Sequence, residues 1–394
     1  MRLYTLETVT AIFNDILTNY SWQGVALMGA MFILFVVQIY YYAILYNSIN
    51  SFRLMQRRNK VYDNPPISVI VTVRGENETF LVDELPILLT QNYEAYEVVV
   101  VYIGGSTDYY DQLTDIQTNY SNLRITKIGG NERIYISTKQ ALNVGIKSAQ
   151  YEALLFTTTG STPRNDKWIA TMAKGFERGL TVLGPAVPRF EKRNLKSYIM
   201  RLVEFNRNRN AMARAIDGRL YYAPRSNFGF TRRLYNSTRG YNYLSYDIGD
   251  NDLYMQLIAT SKRTAVVLSP NAVVTEERPD SWHEWMEWMR YYDTTRRDYP
   301  IWAKRYMKRE LGSRTLYFLT TIAAIVLLPL ELKIAAAAML LLRYAIAVWS
   351  TKRIATRMGE QGLGLNYWIY DIVGPCVEYV IASRKSRKTP KLWR

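Results

Sequence analysis

Apolar positions along this chain fall into two patterns, long unbroken runs near both ends and short β-branched runs between them. Residues 23–46 (QGVALMGAMFILFVVQIYYYAILY) carry no charge and are long enough to cross a hydrocarbon layer of about 30 Å. Residues 315–330 (TLYFLTTIAAIVLLPL) and 334–349 (IAAAAMLLLRYAIAVW) flank Glu331-Leu332-Lys333 and predict a membrane hairpin over 315–349. Residues 365–382 (LNYWIYDIVGPCVEYVIA) are different, because Asp371, Glu378 and the helix-breaking pair Gly374-Pro375 interrupt them. That stretch is expected to be interfacial or re-entrant rather than spanning.

Between the long runs, residues 61–300 read as a separate soluble domain. ISVIVTV (67–73) and EVVVVYI (97–103) are β-branched without alternation, as in parallel strands buried on both faces. A helix-length segment containing Pro86 separates them. STKQALNVGIKSA (137–149) puts Ala141, Leu142, Val144 and Ile146 on one helical face. Leu154-Leu155-Phe156 is a further short buried strand followed by a Thr/Gly/Ser turn, and TVLGP (181–185) is another. Strand and helix alternating in this way predict an α/β fold with its ligand site beyond the carboxyl ends of the strands.

Charge orients the membrane part. Arg53, Arg57, Arg58 and Lys60 follow the first run, whereas residues 1–22 hold only Arg2. Arg305, Lys308, Arg309 and Arg314 precede the hairpin; Lys352, Arg353 and Arg357 follow it. The positive-inside rule then predicts an extracytoplasmic segment 1–22 and a cytoplasmic domain. Residues 301–314 are expected as an interfacial helix and 383–394 as a basic cytoplasmic tail. Residues 1–22 lack a basic n-region and no cleavage pattern follows, so the first helix is expected to remain as an anchor. Arg343, inside the hairpin, is expected to snorkel or to face a protein neighbour.

Over 394 residues, 50 Lys and Arg against 34 Asp and Glu give a formal charge of +16. That balance suits phosphate groups, nucleic acid or an anionic leaflet. The cations sit on membrane flanks and no nucleic-acid motif is present, so nucleic acid is not an expected partner. One cysteine, Cys376, excludes an intrachain disulfide, and one histidine, His283, leaves no Cys/His metal cluster; zinc chemistry and a Ser-His or Cys-His nucleophile are not expected. Cys376 reads as an apolar filler and His283 as a surface side chain. The Trp282, Trp285 and Trp288 stripe reads as a membrane-interface belt.

Residues 154–168 (LLFTTTGSTPRNDKW) are the most telling stretch. A carboxylate just beyond such a strand could hold a divalent cation, but Thr158, Thr159 and Gly160 offer none. Taken together with ISVIVTVRGENET, LLTQNYEAYEVVVVYIGGSTD, KQALNVGIKSAQYEA, SNFGFTRRLY and DIGDNDLYMQL, the stretch resembles the membrane-bound family 2 glycosyltransferases from about Ile67 to Arg297. The resemblance implies the GT-A nucleotide-diphosphosugar transferase fold, a Rossmann-like, mostly parallel sheet flanked by helices. It also implies inverting sugar transfer in cell-envelope glycan or glycolipid synthesis, at a bacterial-type cytoplasmic membrane, with a nucleotide-sugar or lipid-linked sugar as donor.

Measured against that family, the donor side is degenerate. The base-reading Asp is replaced by Tyr102-Ile103, with Asp108 nearby, and the Asp-x-Asp metal motif by Thr158-Thr159-Gly160, with Pro163 kept. No cofactor is expected; Mg²⁺ or Mn²⁺ would require a carboxylate from elsewhere. The family's interfacial Gln-x-x-Arg-Trp motif falls at WMRYYDTTRR, with Tyr291 and Tyr292 near its start. The acceptor side persists: GDNDLY matches the segment that supplies the general base, with Asp250 first, then Asp252 and Asp247. The same Asp250 could instead be a helix cap. Arg74, Glu76, Asp108, Arg164, Arg225 and Asn227 are the candidate substrate-binding residues, and Arg296 and Arg297 are further cations in reach. Two outcomes remain open: an active transferase with arginines replacing metal, or an inactive homologue serving as a binding or regulatory subunit of an envelope assembly.

Overall fold

The computed structural model describes residues 21–54, 63–129, 135–244 and 246–386. Most of the expected segment 1–22, Arg57, Arg58, Lys60 and most of the tail 383–394 lie outside the described residues. Among the described residues ten strands make two sheets. They are β1 (Ile67–Arg74), β2 (Tyr96–Ile103), β3 (Leu123–Ile128), β4 (Ala153–Phe156), β5 (Ser161–Pro163), β6 (Thr181–Leu183), β7 (Ala186–Arg189), β8 (Phe228–Thr231), β9 (Thr264–Val266) and β10 (Val274–Glu277).

The larger sheet has the order β3-β2-β1-β4-β8-β6-β9, with β1 parallel to both β2 and β4 and β8 antiparallel to its neighbours. Val69, Ile70, Val71 and Val73 of the central β1 are fully buried, which is why the strand reads as a continuous β-branched run. The smaller sheet, β5-β10-β7, begins at the turn after β4.

Ten principal helices surround the sheets: α1 (Trp22–Ile39), α2 (Thr107–Asn119), α3 (Thr138–Ser148), α4 (Trp168–Phe176), α5 (Leu195–Ile216), α6 (Leu253–Ile258), α7 (Trp282–Asp293), α8 (Ile301–Leu327), α9 (Leu330–Arg357) and α10 (Tyr367–Ser383). The apolar face predicted for 137–149 packs α3 on the sheet, and Ser137 with Gln140 closes a reciprocal capping box at its start.

Among the described residues three helices are long and apolar enough to cross a membrane: Trp22–Ser51, which extends α1, together with α8 and α9. Outward-facing Phe32, Ile33, Leu319, Ile322, Val326 and Leu341 are exposed, an apolar exterior of the kind water does not favour over lipid. The stretch 301–314, expected as a separate interfacial helix, is the first half of the continuous α8. No proline or helix-stopping turn divides it, and the Thr315 hydroxyl donates to Leu311 O at 3.0 Å across the expected boundary.

Of the two alternatives expected for residues 365–382, the re-entrant turn is not seen, since α10 runs through Pro375 as a single helix. Its polar residues have partners in the fold. Asp371 accepts from Arg343 at 2.7 and 3.0 Å and from Arg314 at 2.6 Å. Arg343 thus faces a protein neighbour and does not snorkel, with Gln38 of α1 as a second acceptor at 3.0 Å. Cys376 is exposed and fills no core space.

The core is shared between the soluble and apolar parts. One buried cluster joins Tyr42 and Tyr46, the sheet residues Ile70, Phe156 and Phe228, the α5 residues Val203 and Met212, and Ile354, Tyr367 and Tyr370 of α9 and α10.

Candidate functional site

On the donor side, the turn after β4 is tied down by its own neighbours. Gly160 sits at φ +77 with open space where a Cβ would stand, a conformation glycine adopts without strain. Its N–H donates to both carboxylate oxygens of Glu84, at 2.9 and 3.1 Å, and its carbonyl accepts from Glu277 N at 2.7 Å. Thr158 and Ser161 share a hydroxyl hydrogen bond of 3.0 Å, and Thr159 is half-buried. Glu84 closes a π-helical turn, Phe80–Glu84, and is only 4% exposed. Burial pushes its carboxyl up from 4.5 to about 7, against the Gly160 N–H, which favours the charged form.

This turn does not fit a divalent cation. The one buried carboxylate there is aimed at a backbone amide, the Gly160 carbonyl is taken, and among the described residues no three His, Cys, Asp or Glu side chains converge as ligands. Sequence reasoning missed Glu84. Its only signal is an acidic residue within the apolar run FLVDELP, and nothing local shows that it folds onto a turn 76 residues away.

The other donor-side position is filled by an aromatic cluster. Tyr102 is fully buried against Tyr109 and Tyr110, at 5.3 and 6.4 Å between ring centroids. A Cβ on Gly104 would lie 2.5 Å from the Tyr102 hydroxyl, so the chain closes directly over the ring. Asp108 is exposed in the first turn of α2, and Glu76 is exposed after β1. Arg74 reaches sideways, donating to Ile136 O at 2.6 Å and lying 5.3 Å over the Tyr135 ring.

On the acceptor side the three aspartates have different surroundings. Asp252 is the helix cap: it accepts from Leu253 N at 2.6 Å, from the Tyr299 hydroxyl at 2.8 Å and from the Thr295 hydroxyl, while burial raises its pKa. Asp247 accepts from Thr138 N at 2.8 Å and from the Tyr135 hydroxyl, fixing the start of α3. Among the described residues Asp250 caps no helix. It is 5% exposed, and its carboxylate lies 3.6 Å from Arg225 Nη1, beyond hydrogen-bond range. The Arg225 guanidinium stacks 4.4 Å over Tyr292, and Nη1 has no hydrogen-bond partner among the described residues.

Two expected binding residues are engaged by the protein itself. Asn227 is fully buried, donating to Pro185 O at 2.8 Å and Ala272 O at 2.6 Å and accepting from Trp168 Nε1 at 3.0 Å. Arg164 donates to Gly359 O at 2.5 Å and Thr275 Oγ1 at 3.2 Å.

Arg225 opens onto a cavity of about 300 Å³ between α5, α7, α8 and α10. Tyr221, Trp288, Tyr292, Tyr306 and Tyr370 supply aromatic walls. Arg207 of α5 closes one side with a double fork, to Asp293 at 3.0 and 3.1 Å and to Glu378 at 2.8 and 2.7 Å. Of the tryptophan stripe, Trp288 lines this cavity and Trp285 is turned into the core, so the stripe does not form a single interface belt. Trp285 is buried and donates to Glu204 at 2.7 Å, and Trp288 lies under Arg278 at 4.0 Å.

Strand β10 joins the two halves. Glu277 N binds the Gly160 carbonyl, and the adjacent Glu276 accepts from Ser226, next to Arg225, and from Arg278. Arg74, Arg225 and Asp247 all lie close enough to the half-buried Tyr291 to act on its ionisation. The structure therefore brings Arg74, Arg225, Asp247 and Asp250 to one region and leaves Asp108, Arg164 and Asn227 outside it.

No family model matches the chain, and no curated protein matches it. Among solved structures it is similar to the mannosyltransferase PcManGT from Pyrobaculum calidifontis, determined with GDP-Man and Mn²⁺. The TM-score is 0.51 and the identity 17%, over 84% of this chain and 97% of that one. It is also similar to S. aureus TarS 1–349, determined with UDP-GlcNAc, at 16% identity over 82% of this chain and 93% of that one. The TM-score for TarS is 0.39, too loose a superposition to argue from. The first likeness is one of fold, and it gives this chain the fold of a glycosyltransferase.

Proposed function

We propose that the chain is a membrane-anchored, GT-A family 2-type glycosyltransferase that transfers a sugar, with inversion, to a glycan or glycolipid acceptor held in the aromatic cavity. The observation that carries this reading is Asp250, a buried carboxylate beside Arg225, which itself lines that cavity. Asp250 takes the proton of the acceptor hydroxyl as its oxygen attacks the anomeric carbon. The bond from that carbon to the donor phosphate breaks, and its electron pair leaves with the phosphate. Arg225 and Arg74 are the cations that offset the charge developing on the leaving group. The domain would work on the cytoplasmic side of a bacterial-type inner membrane, on a nucleotide-sugar or lipid-linked donor, in envelope synthesis.

A second reading has its own support. Tyr102 fills the place of a base-reading carboxylate, and Glu84 with Glu277 occupies the turn where a metal would sit. A site so closed on the donor side fits a homologue that binds a glycan or a partner subunit without transferring sugar.

One experiment separates the two. Full-length protein is titrated with UDP- and GDP-sugars, with and without Mn²⁺, and transfer is followed in wild type and Asp250→Asn. Transfer without added metal, reduced about 10²–10⁴-fold in the variant at unchanged thermal stability, supports the transferase. Absence of both binding and transfer supports the second reading, and unchanged turnover in the variant removes Asp250 as base.

A further inference from the structure

A second cavity, of about 220 Å³, lies between α7 and the carboxyl end of α10, away from the aromatic one. Its lining includes Trp282, His283, Glu287, Arg290, Arg384 and Lys385. Arg290 is 8% exposed. It donates to Glu287 at 2.7 Å and to Val380 O at 3.3 Å, and its buried Nε has no hydrogen-bond partner among the described residues. Arg384 and Lys385 are exposed at the rim and form no ion pair among the described residues. Three cations thus face one carboxylate, which already serves Arg290.

The helix that leads to this cavity has the character of a segment lying at a membrane surface. Asp371 and Glu378 face inward to arginines, while Trp368, Ile372 and Tyr379 are 49%, 58% and 71% exposed along the opposite stripe. Val380 borders both the stripe and the cavity. An apolar stripe laid into the acyl boundary would hold the cationic end of the same helix at headgroup depth. There a phosphate would meet Arg384 and Lys385 at the rim, with the Arg290 guanidinium in the cavity wall behind them.

We propose that this cavity binds the phosphate of an anionic phospholipid headgroup. The inference rests on the reading of the chain as membrane-bound and is independent of sugar transfer. The test uses full-length protein in detergent, with dioctanoyl phosphatidylglycerol, dioctanoyl phosphatidylcholine and inorganic phosphate as probes. The anionic lipid binds saturably, the zwitterionic lipid does not, and phosphate at equal concentration does not displace it. The exposed double substitution Arg384→Gln with Lys385→Gln weakens binding about thirtyfold.

Equal binding by wild type and the double variant would overturn the site. Phosphate binding as tightly as the anionic lipid would replace it with a free-anion site and overturn the lipid assignment. Incorporation into neutral phosphatidylcholine vesicles is measured in parallel. Failure there rejects the membrane reading, whereas incorporation without anionic preference rejects only the headgroup site.

Discussion

At the scale of single residues, Glu84 is the side chain with the clearest pH signature. Its folded-state pKa of about 7 lies above the ordinary 4.5, so the folded chain binds the proton more tightly than the unfolded one. The stability this confers is complete below 4.5 and is lost as pH rises through about 7. Glu84→Gln keeps an acceptor for Gly160 N–H and removes the titration. Thermal unfolding of the wild type, relative to Glu84→Gln, is expected to fall across that window and run parallel above it; parallel curves throughout would show that the carboxyl is not held protonated. Glu84 also shows where reading the chain stops short. The missing carboxylates at Thr158 and Gly160 are visible in the sequence because a motif gives the place to look. What the fold puts there instead arrives from a distant π-helical turn, which no local pattern encodes.

At the scale of elements, β1, β2, β4 and α3 were legible because their apolar periods match the faces they bury. The cavity was not, because it is made where α5, α7 and α10 meet through charge. Glu378 looked only like an obstacle to membrane crossing, and Arg207 gave no signal at all. Yet Arg207 holds Asp293 of α7 and Glu378 of α10 in one double fork. Arg207→Gln leaves two nearly buried carboxylates facing each other, with an expected cost of about 3–5 kcal/mol. The checks are a lowered thermal midpoint and faster proteolysis at the α10 boundary. Lysine at the same position is not a conservative replacement, since it cannot form both bidentate contacts.

For the whole molecule, the boundary drawn at residues 61–300 by composition is not a boundary in packing. The buried cluster that includes Ile70 and Phe156 continues without a gap into Tyr42, Ile354 and Tyr370. A 61–300 fragment is therefore expected to be insoluble or molten, judged by size exclusion and near-ultraviolet dichroism, while the full chain in detergent is not. A monodisperse, cooperatively unfolding fragment would show that the helices add little. The continuous core also bears on how the protein is made. Arg343 enters the apolar bundle with α9, but its partner Asp371 lies 28 residues later in the chain. At ordinary translation speeds the ribosome needs roughly one to six seconds to deliver it. If the bundle is membrane-inserted as proposed, it would hold a cation without its carboxylate partner during that interval, an exposure that delayed release of α9 until α10 has emerged would avoid.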